Sequence, residues 1–285
     1  MPKTWFITGT SSGFGRLLTE QLLARGDRVA ATLRRAGALD DLADRYGDRL
    51  WIASLDVTDT AAVRDVAGRA FADLGRIDVV VNNAGYGLFS AVEEPSDEQI
   101  QHQLQTNVVG SMQVIRAVLP HLRAQGGGRI LQVSSAGGQT TYPNFSYYHA
   151  SKWAIEGFCE TVAQEIAPFG IGLTIVEPGA TGTNFASGLV TAPLMTEYDD
   201  TPAGATRRAI ADGSFPITGD PDKMARAMID SVEQEPAPLR LALGEDSYTD
   251  MRASLQRRLA DLEAQKELAL SAVVAEKILL RGDQS

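Results

Sequence analysis

Thr8-Gly9-Thr10-Ser11-Ser12-Gly13-Phe14-Gly15 is the stretch on which the reading of this chain turns. An apolar run, residues 5–8, leads into it. Residues 13–24 follow with helical spacing, which places Phe14, Leu17, Leu18 and Leu22 on one side. A strand, a glycine turn and a helix in that order make a place for an anion. Glycines let the backbone turn tightly and approach the ligand, and the free N–H groups of the first helical turn face it. A pyrophosphate suits that geometry. The spacing is G-x-x-x-G-x-G rather than the general G-x-G-x-x-G, so a turn with a close helix–strand contact is the alternative reading.

Outward from this loop, short apolar runs alternate with longer amphipathic segments. Strands are predicted at residues 28–33, 50–55, 77–81, 129–133 and 171–176, and helices at 59–74, 97–124 and 147–167. Ile77 to Val81 is almost continuously apolar, as in a strand buried on both faces. This β-α-β-α rhythm implies an α/β fold: a parallel sheet with helices on both faces, doubly wound through right-handed crossovers. The rhythm breaks after Pro178. Residues 183–218 mix Gly, Pro, Thr and Asp and are expected to be an irregular lid insertion. A helix at 221–232, a short strand at 239–243 and a helical tail at 247–280 complete the chain. The expected organisation is a single domain over 1–285, with a core at 3–182, the lid at 183–218 and a helical C-terminal extension at 219–285.

The end of the second strand tests which dinucleotide would bind. An NAD site places Asp or Glu there for the ribose 2′-hydroxyl, whereas arginine accommodates a 2′-phosphate. Here the sequence runs Ala31-Thr32-Leu33-Arg34-Arg35, without a carboxylate. Arg34, with Ser11 from the glycine loop, can hold a phosphate through charge-assisted bonds, so NADP(H) is expected in preference to NAD(H). The alternative is that both arginines merely begin a solvated loop.

Tyr148-His149-Ala150-Ser151-Lys152 sets a phenol and an ammonium one helical turn apart on one face. A nearby cation favours phenolate, so the tyrosine is expected to be acidified from about 10 toward neutrality and to exchange protons at physiological pH. Ser135 follows the strand at 129–133 and can hydrogen-bond a substrate oxygen near the same phenol. Asn107 is a polar residue out of place among Val108, Val109 and Met112 inside a long helix; a satisfied core amide is the alternative reading.

Together these motifs resemble the short-chain dehydrogenase/reductase family, strongly over residues 3–185 and loosely beyond. Residues 8–15 resemble its T-G-x-x-x-G-x-G loop. Asp56-Val57 is similar to its adenine-contact pair, Asn82-Asn83-Ala84-Gly85 to its N-N-A-G segment, and Pro178-Gly179-Ala180-Thr181-Gly182-Thr183 to its P-G-x-x-x-T segment. Asn107, Ser135, Tyr148 and Lys152 fall on its catalytic tetrad. Residues 31–34 and the double serine at 11 and 12 look most like the NADP-preferring branch that contains steroid 17β-hydroxysteroid and retinol dehydrogenases. The resemblance implies a Rossmann fold and hydride transfer between nicotinamide C4 and a carbonyl or secondary alcohol carbon. It implies that Tyr148 is the general acid, that Ser135 orients the oxygen, that Lys152 holds the nicotinamide ribose, and that Asn107 anchors a water. It also implies cofactor contacts at Gly9, Ser11, Ser12, Gly13, Phe14, Gly15, Arg34, Asp56, Val57, Asn83, Ala84, Gly85, Pro178, Gly179, Thr181 and Thr183.

Tyr86, Leu88, Phe89, Tyr142, Phe145 and Tyr147, with lid residues Leu189, Val190, Leu194 and Met195, suggest a pocket for a hydrophobic ketone, aldehyde or alcohol; packing alone would also account for them. The remaining composition excludes other classes. The 285 residues are 44% apolar and 22% charged, which is neither disordered nor fibrous, and the net charge of −10 with no basic run argues against nucleic acid. One cysteine allows no intrachain disulfide, and three scattered histidines give no metal-ligand spacing. No apolar run approaches the roughly 18 residues of a membrane span. A cytoplasmic protein is expected, as a homodimer or homotetramer through its long helices. The competing functional readings are a non-catalytic dinucleotide-sensing protein on the same fold and a nucleotide-sugar epimerase or dehydratase, for which the chain is short.

Overall fold

The computed structural model describes residues 2–183, 185 and 188–273. In chain order the elements are β1 (Thr4–Thr8), α1 (Gly13–Arg25), β2 (Arg28–Leu33), α2 (Asp40–Tyr46), β3 (Leu50–Ser54), α3 (Thr60–Leu74), β4 (Val79–Asn82), β5 (Leu88–Phe89), α4 (Asp97–Leu104), α5 (Ser111–Ala124) and β6 (Gly128–Val133). There follow α6 (Ser146–Ile166), β7 (Ile171–Pro178), β8 (Val190–Thr191), α7 (Pro202–Ala211), α8 (Pro221–Ser231), β9 (Arg240–Leu243), α9 (Glu245–Ala264) and α10 (Lys266–Ser271).

The strands alternate their apolar side chains between two cores. Phe6, Val80 and Ile130 point to one face, where α3, α5 and α6 bring Val63, Ile115 and Ile155. Trp5, Ile7, Val79, Val81 and Leu131 point to the other, against Leu18 and Leu22 of α1 and Met228 of α8. A strand buried on both faces needs parallel neighbours and helices above and below, and the sheet provides them. Its order is β3-β2-β1-β4-β6-β7-β9, with every pairing parallel. The chain winds outward from β1 in one direction and from β4 in the other. A crevice therefore opens beyond the carboxyl ends of β1 and β4, the usual ligand position in a doubly wound Rossmann sheet.

Two expectations need correction. Residues 97–124 are not one helix: α4 and α5 flank a π-helical segment, Gln105–Gly110. That segment lies so close to the β3–α3 loop that a β-carbon on Gly110 would sit 2.9 Å from both Cγ2 and the carbonyl oxygen of Val57. Residues 183–218 are not wholly irregular either. Val190–Thr191 pairs in parallel with Leu88–Phe89, and α7 starts at a Thr201 cap with Pro202 in its first turn. Residues 40–46, to which the sequence reading assigns no element, form α2 with Asp40 and Asp41 in its first turn, where the helix dipole favours them. The predicted tail is helical as far as it is described, and its part beyond Val273 lies outside the described residues.

Candidate active site

The crevice is built from the glycine loop upward. Gly9 and Gly13 take positive φ, 72° and 55°, a conformation that favours glycine. Gly15 has no room for a side chain, since a β-carbon there would lie 2.2 Å from the Gly9 carbonyl oxygen. Helix α1 begins with no side-chain cap, unlike α3, α4, α7 and α8, whose first turns are closed by Asp59, Ser96, Thr201 and Asp220. Its orphan N–H groups are thus left facing the crevice. Ser12 is exposed and Ser11 half-buried at this mouth, while Phe14 packs down onto the core beneath α1.

The segment after β4 is stapled to this loop. Asn83 N and Ala84 N both donate to Thr8 Oγ1 at 3.0 Å, and Asn83 Nδ2 donates to the carbonyls of Thr8 (2.9 Å) and Gly9 (3.1 Å). The Asn83 amide is therefore spent on holding the loop, and Gly85 is the exposed residue of the segment. On the far side Thr183 closes the approach: a β-carbon on Gly13 would come within 3.9 Å of its Cβ. Pro178 ends β7, Gly179 N donates to Leu243 O at 2.8 Å, and Thr181 Oγ1 donates to Gly179 O at 2.8 Å.

At the third strand's end, Asp56 Oδ1 accepts from Thr58 N and Oγ1 at 2.9 and 2.8 Å. Burial works to raise the Asp56 carboxyl, but those bonds and the Arg34 charge hold it below its usual range. Arg34 Nη1 is 4.0 Å from Asp56 Oδ2, and its side chain is 68% exposed, free to turn toward the crevice. Val57 is buried in the core under the π segment.

The tetrad candidates converge. Tyr148 and Lys152 are both buried on α6, with Lys152 Nζ 5.6 Å from the Tyr148 ring centroid. Ser135, half-buried, starts the tight turn after β6, where its Oγ accepts from Gly137 N at 3.0 Å. Asn107 Nδ2 donates to Tyr86 O (2.9 Å) and to Ser151 Oγ (3.1 Å), and its Oδ1 accepts from Tyr86 N (3.1 Å). Ser151 Oγ in turn donates to Tyr148 O at 2.6 Å. The Asn107 side chain is thus fully satisfied and ties the β4 loop to α6.

The expected acidification of Tyr148 is not what the environment produces. Burial pushes the phenol up to about 12, assisted by the charge of Glu156; Ser135 pulls it down, but by less. Burial also lowers Lys152 to about 8, although the Glu156 charge opposes this. The ammonium is spent on Val133 O, at 3.0 Å, instead of on the phenol oxygen. For the phenol, desolvation and the Glu156 charge outweigh the hydrogen bond with Ser135.

A family model described as short chain dehydrogenase matches residues 3–193. The chain belongs to the short-chain dehydrogenase/reductase family. Oxidoreductase BOA17 of Botryotinia fuckeliana (strain B05.10) is 37% identical over 273 residues, covering 95% of this chain and all of that protein. A 3-ketodihydrosphingosine reductase of Bacteroides thetaiotaomicron is 34% identical, over 70% of this chain and 71% of its own. The crystal structure of a short-chain dehydrogenase from Streptomyces avermitilis superimposes with a TM-score of 0.89 at 39% identity, covering 96% of this chain and 100% of that one. Two structures at 25% identity carry pyridine nucleotides. An alcohol dehydrogenase from Thermococcus sibiricus (TM-score 0.69, 85% of this chain, 96% of that one) is complexed with 5-hydroxy-NADP, and a 3-ketoacyl-(acyl-carrier-protein) reductase from Brucella melitensis (TM-score 0.72, 86% and 98%) with NADH.

In this short-chain dehydrogenase the aromatic residues divide. Phe145 and Phe185 flank the Tyr148 ring at 5.9 and 5.5 Å between centroids, and Phe89 lies 5.0 Å from Phe145. Leu189 and Phe185 cover Gly87, where a β-carbon would lie 2.6 and 2.8 Å from them. Tyr142 and Tyr147 turn away, donating to Asp250 Oδ2 (2.7 Å) and Val92 O (2.8 Å). Tyr142 lines a neighbouring apolar groove of about 790 Å³ together with Val92, Trp153 and Tyr198. Sequence reasoning missed Glu94. Its side chain is 0% exposed, takes both oxygens to Arg207 Nη2 of α7 at 2.6 Å, and accepts from Ala91 N and Met195 N. It also missed Asp246, whose Oδ2 accepts from Ala180 N at 2.6 Å. An isolated carboxylate in a polar stretch gives no sequence signal.

Proposed function

We propose that this protein is an NADP(H)-dependent reductase of hydrophobic ketones or aldehydes, reversible as an alcohol dehydrogenase, with Tyr148 as general acid. The observation that carries this reading is the convergence of buried Tyr148 and Lys152 with Ser135, at the same carboxyl-terminal edge of the sheet as the uncapped N-terminus of α1. The residues suit a dinucleotide. The glycine loop lacks the side chains that would fill it, so the N–H groups of Gly13, Phe14 and Gly15 can take the pyrophosphate. Arg34 and Ser11 would hold the 2′-phosphate, Ser12 would line the mouth, and Asp56, with the backbone of Val57, would take the adenine. Gly9, Asn83, Ala84 and Gly85 would form the floor, and Pro178, Gly179, Thr181 and Thr183 would meet the nicotinamide.

When bound, NADPH would supply the hydride that the carbonyl carbon takes up. Tyr148, held neutral by burial, gives its proton to the carbonyl oxygen as that oxygen gains charge. Ser135 donates to the same oxygen and fixes its distance from the phenol. Lys152, whose bond to Val133 O uses one of its three N–H donors, would anchor the ribose hydroxyls with the others, and Asn107 braces Tyr86 and, through Ser151, the backbone of Tyr148. Phe145, Phe185 and Leu189 exclude water and favour an apolar substrate; the Bacteroides relative named for a long-chain ketone agrees with that choice. The steroid and retinol dehydrogenase branch fits the Arg34 reading, and a cytoplasmic homodimer or homotetramer fits the family. No observation favours a non-catalytic sensor.

The test is an absorbance screen of NADPH and NADH oxidation against ketones, aldehydes and quinones, with Tyr148→Phe as control. Turnover with NADPH in the wild type and none in the variant, with NADPH still bound, is expected. Undiminished turnover in Tyr148→Phe would overturn the assignment of the acid.

A further inference from the structure

One turn beyond Lys152, α6 carries a carboxylate that the reaction as described does not use. Glu156 is 1% exposed. Its Oε1 accepts from Ser134 Oγ at 2.6 Å, and its Oε2 accepts from Gln139 Nε2 at 2.5 Å and from Arg240 Nη1 of β9 at 2.7 Å. Burying a carboxylate is costly unless it is paired and bonded, and every bond here is charge-assisted. The bonds fall on both sides of Ser135: Ser134 precedes it and Gln139 follows the turn it opens. Gly138 lies between, and a β-carbon there would come within 1.8 Å of Glu156 Oε1. Lys152 holds the preceding residue, Val133, by its carbonyl. Successive turns of one helix therefore grip successive residues of the strand end that carries Ser135.

We propose that Glu156 is a positioning residue, which locks the Ser135 turn to α6 so that the serine hydroxyl and the Tyr148 phenol meet one substrate oxygen. This rests on the reductase reading above. A constellation of this kind loses rate steeply when one member shifts by a fraction of an ångström, while binding elsewhere in the site is little affected. Glu156 also bears on the proton itself. Its charge favours the protonated forms of Tyr148 and Lys152. The other ionisable and charged groups in reach are His149, Cys159 and Glu160 on α6, Glu177 on β7, Arg240 on β9, and Arg258 on α9, which bonds Gln139.

The experiment compares wild type, Glu156→Gln, Ser134→Ala and Tyr148→Phe, using NADPH and whichever carbonyl compound of the screen the wild type reduces fastest. NADPH affinity is measured separately by fluorescence titration. Ser134→Ala and Glu156→Gln are expected to lower kcat roughly ten-fold while substrate KM and NADPH affinity stay within about two-fold. In Glu156→Gln the alkaline fall of kcat moves to lower pH, which a purely structural loss would not cause. Ser134→Ala removes one hydroxyl and carries the test if Glu156→Gln folds poorly. Unchanged kcat in both variants, beside an inactive Tyr148→Phe, overturns the role of Glu156 and leaves the reductase reading standing. A wild type that reduces no carbonyl overturns that reading and this inference with it.

Discussion

Arg34 shows what one side chain decides. It stands at the end of β2 where an NAD site keeps a carboxylate, and it is mostly exposed. Leu33 is 4% exposed and belongs to the core beneath α1, so a carboxylate placed there would be buried. Arg34 is therefore the position to change. Arg34→Gln is expected to weaken NADPH binding about ten-fold and NADH binding little, the loss of one charge-assisted bond of about 1.5 kcal/mol. Equal changes in the two dissociation constants would remove Arg34 from the phosphate pocket. Lys152 gives a second outcome at this scale. Burial sets it near 8, so its ammonium is lost as pH rises through that value. The reductive rate is expected to hold through neutral pH and to fall above about pH 8, in a pH–rate profile taken with NADPH saturating. The tetrad residues and the glycines were legible in the sequence because their types and spacing are dictated by chemistry. The elevated phenol was not, because spacing reports a neighbouring charge and says nothing of the solvent that burial removes.

Among elements, α7 and the π segment mark where periodicity stops being informative. Helix α7 is held by a pair whose members, Glu94 and Arg207, are 113 residues apart in the chain. Such partners are invisible to local pattern. Removing one member of a buried pair leaves the other without compensation and typically costs about 3–5 kcal/mol. Arg207→Met is thus expected to lower the melting temperature and to speed proteolytic cutting near residues 190–211; cutting at the wild-type rate would show that the pair does not hold α7. The π segment was equally hidden. Residues 97–124 read as one amphipathic helix, and only the contact of Gly110 with Val57 and the grip of Asn107 on Tyr86 reveal why it widens. The βα alternation, by contrast, was readable strand by strand, because a strand buried on both faces must be almost wholly apolar.

For the whole molecule, the outer part of the sheet carries an electrostatic load. Arg240 faces Glu156, Glu160 and Glu177. Burial and the Glu156 charge push Glu177 up to about 7, above its ordinary 4.5. A carboxyl raised in the folded state binds its proton more tightly there than in the unfolded chain. Its contribution favours the fold below pH 4.5 and is lost as pH rises toward 7. Glu177→Gln is expected to flatten the decline of melting temperature between about pH 5 and pH 7, measured by thermal scans across that window; an unaltered slope would place the titration elsewhere.

Synthesis order gives this arrangement a consequence. Strand β9 and helix α9 leave the ribosome after every residue of the proposed catalytic group has already emerged. Until Arg240 arrives, two acidic side chains destined for the interior have no counter-ion, and until Asp246 arrives the backbone amide of Ala180 lacks its acceptor. A nascent chain can thus pair most of its sheet early, yet it matures into a working shape only when β9 and α9 dock.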